Sequence, residues 1–373
     1  MKENKEKVYH ELREHLDRMP IGYPATKSGI EIKILKHLFQ PDQAQIATFL
    51  SWKWKKLEEI HKTINKNEIS INQLESVLNE MVHDGLINYK YDNNTKLYAN
   101  APLVVGFYEY QLKRLDKQLV KDVFHYIKEA FGFEIMRTQI SQLRTVPIEQ
   151  SIESEIKIST YDNIREIFEK AKPPFAVTNC ICKKATDMIE NPCKITERRE
   201  ICMAVDWMAQ LYVDQGWARE ISKKEALSIL KKNEEDGLIL NVENTQEPLF
   251  FCGCCTCCCG LTAGLKKLHN PSKLAHNNFY AQVDSELCIG CGTCIDRCQM
   301  EAITFEENKA QINKKRCIGC GNCVYICPSD ALSLNIIKNI KKPPETSTKL
   351  YSSILSKKNQ LKEKYQKFKS NIN

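Results

Sequence analysis

Cysteine is missing from the first 179 residues and from everything after Cys327, although the 373-residue chain carries 18 of them. A disulfide framework would staple the whole chain, so this confinement argues for reduced, metal-bound thiols. Also missing is an apolar run of the about 20 residues that a membrane span needs. The longest uncharged stretch, 248–265, is dominated by Cys and Gly, and no span is expected. Residues 1–17 are charged and amphipathic and lack the apolar core and cleavage pattern of an export leader, so a cytoplasmic protein is expected. Neither a phosphate-binding P-loop nor a dinucleotide fingerprint occurs, which excludes the common nucleotide cofactors from the reading.

What is present is the composition of a soluble globular protein, 42% hydrophobic and 27% charged. The length exceeds what one core usually organises, and two or three folded domains are expected. The net charge of +7 is unevenly placed, because residues 338–373 hold ten Lys against Glu345 and Glu363, leaving the body close to neutral. Clusters held by thiolates would make that body acidic.

Residues 30–102 read as short helices followed by a hairpin. Candidate helices are 31–39, 41–50 and 56–65. Ser70 then opens a helix over 71–84 with Leu74, Leu78, Met81 and Val82 on one face and Gly85 as its stop. Strands 86–91 and 96–99 flank the turn Asp92-Asn93-Asn94. That order resembles a winged helix-turn-helix. From 104 to 172 mostly helix is expected, notably 108–131 and 161–171, with a loop at 144–147. Ser222 and Glu225 form a capping box for a helix ending near Gly237, and 270–278 reads as a linker.

One internal repeat stands out. Cys288-x2-Cys291-x2-Cys294-x3-Cys298 returns 29 positions later as Cys317-x2-Cys320-x2-Cys323-x3-Cys327. This is the run of bacterial two-cluster ferredoxins, in which three thiolates within seven residues cap one 4Fe-4S cube and the fourth reaches the other. The resemblance implies one cluster on Cys288, Cys291, Cys294 and Cys327, and a second on Cys317, Cys320, Cys323 and Cys298. Gln299 stands where the second motif has Pro328 after its last cysteine. Paired zinc knuckles are the weaker alternative, since zinc has no use for this spacing.

Ten further cysteines occupy the centre. Cys180, Cys182, Cys193 and Cys202 are the first candidates for an additional cluster, and Cys252, Cys254, Cys255, Cys257, Cys258 and Cys259 the second. Buried free thiols or a redox disulfide are the alternatives. Adjacent residues such as Cys254 and Cys255 are poorly placed to face one cube. Arg198-Arg199 could offset cluster charge or form a solvated face; Trp207 and Trp217 read as core, and His83 as structural. With its winged-helix-like start and terminal ferredoxin, the pattern resembles 4Fe-4S dicluster proteins of anaerobes.

The expected fold is α+β and multidomain: a winged-helix-like docking domain (1–102), a helical, cysteine-rich domain (103–270), a two-cluster ferredoxin domain (271–336) and a basic tail (337–373). The expected function is electron transfer to redox partner proteins, with two 4Fe-4S clusters and one or two more in the centre. The first rival is a redox-sensing transcription regulator; it is disfavoured because the helix over 71–84 carries Glu75, Glu80 and Asp84 and no Lys or Arg, so DNA is not the expected partner. The second is an oxidoreductase with a substrate-binding central cluster. For the tail, an apolar stripe over 352–368 suits a docking helix, while Pro343-Pro344 would also suit a detached, solvated extension.

Overall fold

The computed structural model describes residues 2–64, 69–151 and 162–370. Asn65 and Tyr161, the expected ends of two helices, lie outside them. Two compact units are formed, Met1–Thr138 with Gln210–Arg219 and Tyr351–Asn373, and Gln139–Ala209 with Glu220–Leu350.

In the first unit, helices Lys2–Asp17, Ile30–Leu38 and Pro41–Ala47 are followed by a short strand β1 (Lys55–Lys56) and helices Leu57–Thr63 and Ile71–His83. Ser70 closes a reciprocal capping box with Gln73, and Leu74, Leu78, Met81 and Val82 form the buried face of its helix. The hairpin β2 (Ile87–Asp92) and β3 (Thr95–Asn100) turns through Asn93 and Asn94, both at positive φ, and adds β1 in the order β1-β3-β2. The helix expected over 108–131 is broken. Asp116 accepts the Leu119 N–H at 2.8 Å and starts a new helix, Lys117–Tyr126, after a 3-10 turn at Glu109–Lys113. Trp217 is core, stacked on Tyr110 at 4.9 Å.

The second unit corrects the expectation of a mostly helical centre. Strands β4 (Leu143–Thr145), β5 (Phe175–Asn179), β6 (Glu200–Val205), β7 (Arg219–Ile221), β8 (Ile239–Glu243) and β9 (Phe250–Cys254) form one sheet in the order β4-β8-β9-β6-β5-β7. Strand periodicity sorts their side chains. Phe175, Val177, Met203, Val205, Leu240, Val242 and Phe251 join one core with Ile164, Ile167 and Phe168 of helix Ile164–Lys170 and Ala226, Ile229 and Leu230 of helix Lys223–Glu235. The alternate positions Cys202, Asn241, Cys252 and Cys254 belong to the other face, with Cys202 paired to Cys252 across β6 and β9. The core face is ordinary hydrocarbon; the other face mixes sulfur with Asn241 and Ile239.

Beyond the sheet, β10 (Phe279–Val283) pairs with β13 (Leu332–Ile336), and β11 (Ile303–Glu306) with β12 (Lys309–Ile312), all antiparallel. The expected linker at 270–278 is instead fixed. Asn278 donates to Asp162 at 2.8 Å and to the Lys341 carbonyl at 3.1 Å, and Asn277 donates to the Gly319 carbonyl at 3.0 Å. Buried asparagines need such partners, and here they tie the segment down.

Candidate iron-sulfur and metal centre

The terminal repeat folds into two matching turns followed by short helices, Thr293–Arg297 and Asn322–Tyr325. Gly319 stands at φ 63°, and a Cβ there would lie 2.3 Å from the Phe279 carbonyl oxygen, so only glycine fits. Around Cys294 the thiol field comes from Cys291, Cys327 and Cys288. Cys298 instead acts on Cys317, Cys320 and Cys323, and lines one cavity with them, Gly319 and Gly321. Backbone N–H groups of Ala281 and Ala302 donate to the sulfurs of Cys317 and Cys298 at 3.4 and 3.3 Å. Burial pushes the Cys320 thiol up to about 12 and raises Cys323 well above the usual thiol range. Metal binding at these thiols therefore releases protons. All-sulfur donors, a tight glycine turn and N–H groups aimed at sulfur fit a 4Fe-4S group.

The first set lies at the surface: Cys291 is exposed, and Leu287 and Ile289 are 50% and 68% exposed. The second is interior. Cys298, Cys317 and Cys320 pack against a buried cluster of Ile239, Ala275, Met300, Ala302 and Ile318, which also contains Cys254 and Cys259. The cavity of the second terminal set thus shares an apolar wall with the central cysteines.

Residues 281–334 match the 4Fe-4S dicluster domain family. No curated protein and no solved structure matches the chain significantly. The match establishes an iron-sulfur domain and supports an electron-transfer role; its span leaves the other regions to be read from their own geometry.

All ten central cysteines are free thiols, and they divide six and four. Six close a ring of sulfur hydrogen bonds, in the order Cys180, Cys182, Cys259, Cys254, Cys252, Cys202 and back to Cys180. Cys180 is the N-cap of helix Ile181–Met188, Cys202, Cys252 and Cys254 come from β6 and β9, and Cys259 is the N-cap of helix Gly260–Lys267. Bonds from Cys182 and Cys202 hold the Cys180 thiol well below the usual range, and bonds from Cys182 and Cys254 do the same for Cys259.

The other four, Cys193, Cys255, Cys257 and Cys258, have sulfurs that all lie within 4.8 Å of one another. Cys193 packs in one buried cluster with Cys180, Cys182 and Cys202, the set its place in the sequence suggested, and its sulfur also groups with those of Cys255, Cys257 and Cys258. The neighbours Cys254 and Cys255 part company, as do Cys258 and Cys259, each pair giving one sulfur to the ring and one to the tetrad. A bond from Cys258, aided by the Lys183 ammonium, brings Cys255 down to about 5 against its burial.

Lys183 escaped the sequence reading. It is 1% exposed, and its ammonium lies 3.4 Å from both the Cys255 sulfur and the Gly253 carbonyl. Burial, which alone would lower its pKa, is outweighed by the fields of Cys180, Cys255, Cys193 and Cys202, so it stays charged. Arg199 grips Asp187 with two nitrogens at 2.6 and 2.9 Å while its charge also acts on Cys193 and Cys258. Arg198 pairs with Asp236. The sequence shows only that Lys183 follows Cys182; its burial is a property of the fold.

Proposed function

We propose that the chain is an iron-sulfur electron-transfer protein in which the central thiols and the terminal ferredoxin repeat form one relay, with Cys298, Cys317, Cys320 and Cys323 as the intermediate station. The observation that carries this reading is the apolar wall of Ile239, Met300, Ala302 and Ile318, shared by central and terminal cysteines. Bound 4Fe-4S groups supply single-electron exchange. The protein supplies dry packing between sites, N–H groups that stabilise thiolate charge, and Lys183 as a fixed countercharge. The outer set, with exposed Cys291, Leu287 and Ile289, is where a redox partner would approach. The ring of six thiols is the seat of a further metal centre, with more donors than the four that one site requires.

The first unit serves as a docking module of winged-helix type, an assignment supported by its helix order and its β1-β3-β2 sheet. Its exposed helix face carries Glu75 and Glu80, and Lys96 of the hairpin is spent on Asn79 at 2.6 Å and over the Tyr89 and Tyr98 rings. Little free positive charge remains for a phosphate backbone, so a protein partner fits better than DNA. Among the described residues no helix is long and apolar enough to cross a membrane.

The test is an anaerobically reconstituted full chain in which Cys317→Ser removes the intermediate station. Electrons delivered by a small protein donor should then reach the central sites at least tenfold more slowly. An unchanged rate would refute the relay while leaving the iron-sulfur assignments standing.

A further inference from the structure

The four sulfurs of Cys193, Cys255, Cys257 and Cys258 form a compact group. Cys193 lies 3.7 Å from Cys255 and 3.8 Å from Cys257, Cys255 and Cys257 are 3.4 Å apart, and Cys257 and Cys258 are 3.7 Å apart. The remaining pairs stay within 4.8 Å. A single tetrahedral ion with metal-sulfur bonds of about 2.3 Å spaces its four thiolates about 3.8 Å apart. A cube carries its thiolates outward from four separate irons, which sets them roughly 6 Å apart or more. Four edges of 3.4–3.8 Å match the first figure, and the 4.8 Å bound on the other two keeps every pair short of the second.

We infer that Cys193, Cys255, Cys257 and Cys258 bind one mononuclear, thiophilic divalent ion, zinc or rubredoxin-type iron, and not an iron-sulfur cube. Four thiolates around a divalent ion leave a charge of −2. Lys183, 3.4 Å from Cys255, supplies a buried countercharge, and Arg199, though paired with Asp187, adds a favourable field at Cys193 and Cys258. The Lys194 backbone N–H also bonds Cys257. Binding is plain ligand exchange: each bound thiol loses its proton to solvent and no electron moves. Three of the ligands fall within four residues, 255–258, and Cys193 arrives from the segment before β6. The ion therefore pins these two stretches together beside the six-thiol ring. This inference deepens the reading of the central thiols as metal-bound, but does not depend on the relay.

The test compares wild-type full chain with Cys193→Ser/Cys257→Ser, both reconstituted anaerobically with iron, sulfide and zinc. These two ligands are only partly buried, and retention of the terminal cluster signal together with an unchanged circular dichroism spectrum checks folding. The expected result is loss of one metal equivalent per chain with no loss of acid-labile sulfide. Missing zinc would identify a structural ion, and missing iron a rubredoxin-type centre; either supports the inference. Loss of several irons with equimolar sulfide, or no metal loss at all, would overturn it. Should the variant fail to fold, X-ray absorption on the wild type decides: a zinc or non-cluster iron component with four sulfurs and no metal neighbour supports the site, and its absence refutes it.

Discussion

The side-chain oxygen of Gln299 accepts the backbone N–H of Thr256 at 2.9 Å, and its amide nitrogen donates to the Gly237 carbonyl at 2.7 Å. Gln299 follows Cys298, and Thr256 lies between Cys255 and Cys257, so one side chain ties the terminal repeat to the central thiol loop. The residue that departs from the proline of the second motif thus has a bridging task. Gln299→Leu keeps the volume and removes both bonds. It should lower stability of the metal-loaded protein by about 1–3 kcal/mol and release central metal before terminal iron, as read by urea titration with metal release. Simultaneous release at an unchanged midpoint would show that the bridge carries no weight.

The crossed ligation proposed for the terminal repeat makes a counter-intuitive prediction. Cys298 belongs in sequence to the first motif, four positions after Cys294, but shares a cavity with Cys317, Cys320 and Cys323. Cys298→Ser should therefore damage the cluster of the second motif and spare that of the first. Paramagnetic resonance of the reduced variant distinguishes the two, and loss confined to the Cys288 set would contradict the crossed arrangement.

The terminal motif was legible because a repeated spacing encodes local chemistry. So were the caps at Ser70 and Ser222, whose oxygens accept from Gln73 and Glu225 at 3.3 and 3.1 Å. The central sheet was not, because cysteine is neither plainly polar nor plainly apolar and blurs the alternation around β9. The alternation survives in Met203 and Val205 and in Leu240 and Val242, where hydrocarbon marks the core face. Grouping of the ten thiols was hidden for a different reason. Cys193 reaches Cys255 across 62 residues, a tertiary relationship that spacing does not contain.

Lys183 is the buried countercharge of the central thiols. Lys183→Met preserves most of the packing and removes the charge. The reduction potential of the central sites should fall by about 50–100 mV, the effect of one charge at several ångströms in a protein interior, while the outer terminal cluster stays unmoved. Redox titration of both in one sample makes the comparison internal. Equal shifts at both would indicate a change in fold rather than a local field.

Glu243 ends β8 only 2% exposed, and burial raises its pKa from 4.5 to about 7 despite bonds from Ser347, Thr245 and the Leu249 N–H. The folded state then holds a proton that the unfolded chain gives up, so this contribution is complete below pH 4.5 and is lost as pH rises through 7. The loss amounts to about 3 kcal/mol. Glu234, raised to about 7 by the same cause, adds in the same direction, so the variant must be compared with wild type at each pH. Glu243→Gln should be more stable than wild type at pH 8 and no more stable at pH 4. A pH-independent difference would mean that the carboxyl titrates normally.

The basic tail forms a helix, Ser347–Ser370, that is neither detached nor uniformly engaged. Within the first unit Ile354 is buried, and Lys358 reaches a pocket where its ammonium donates to the Asp17 and Met19 carbonyls at 2.6 and 2.9 Å and pairs with Glu134 at 3.0 Å. Farther along, Tyr365 and Phe368 are 60% and 64% exposed. Breaking a buried ion pair by removing one partner commonly costs 3–5 kcal/mol. Here Glu134 would keep Arg137 at 2.9 Å and the Gly22 N–H at 2.9 Å, so Lys358→Met should cost less, about 2 kcal/mol. Truncation after Leu361 removes, among the described residues, only exposed ones and should leave thermal stability unchanged. If it destabilised the protein as much as Lys358→Met, the distal turns and not the Lys358 anchor would hold the helix in place.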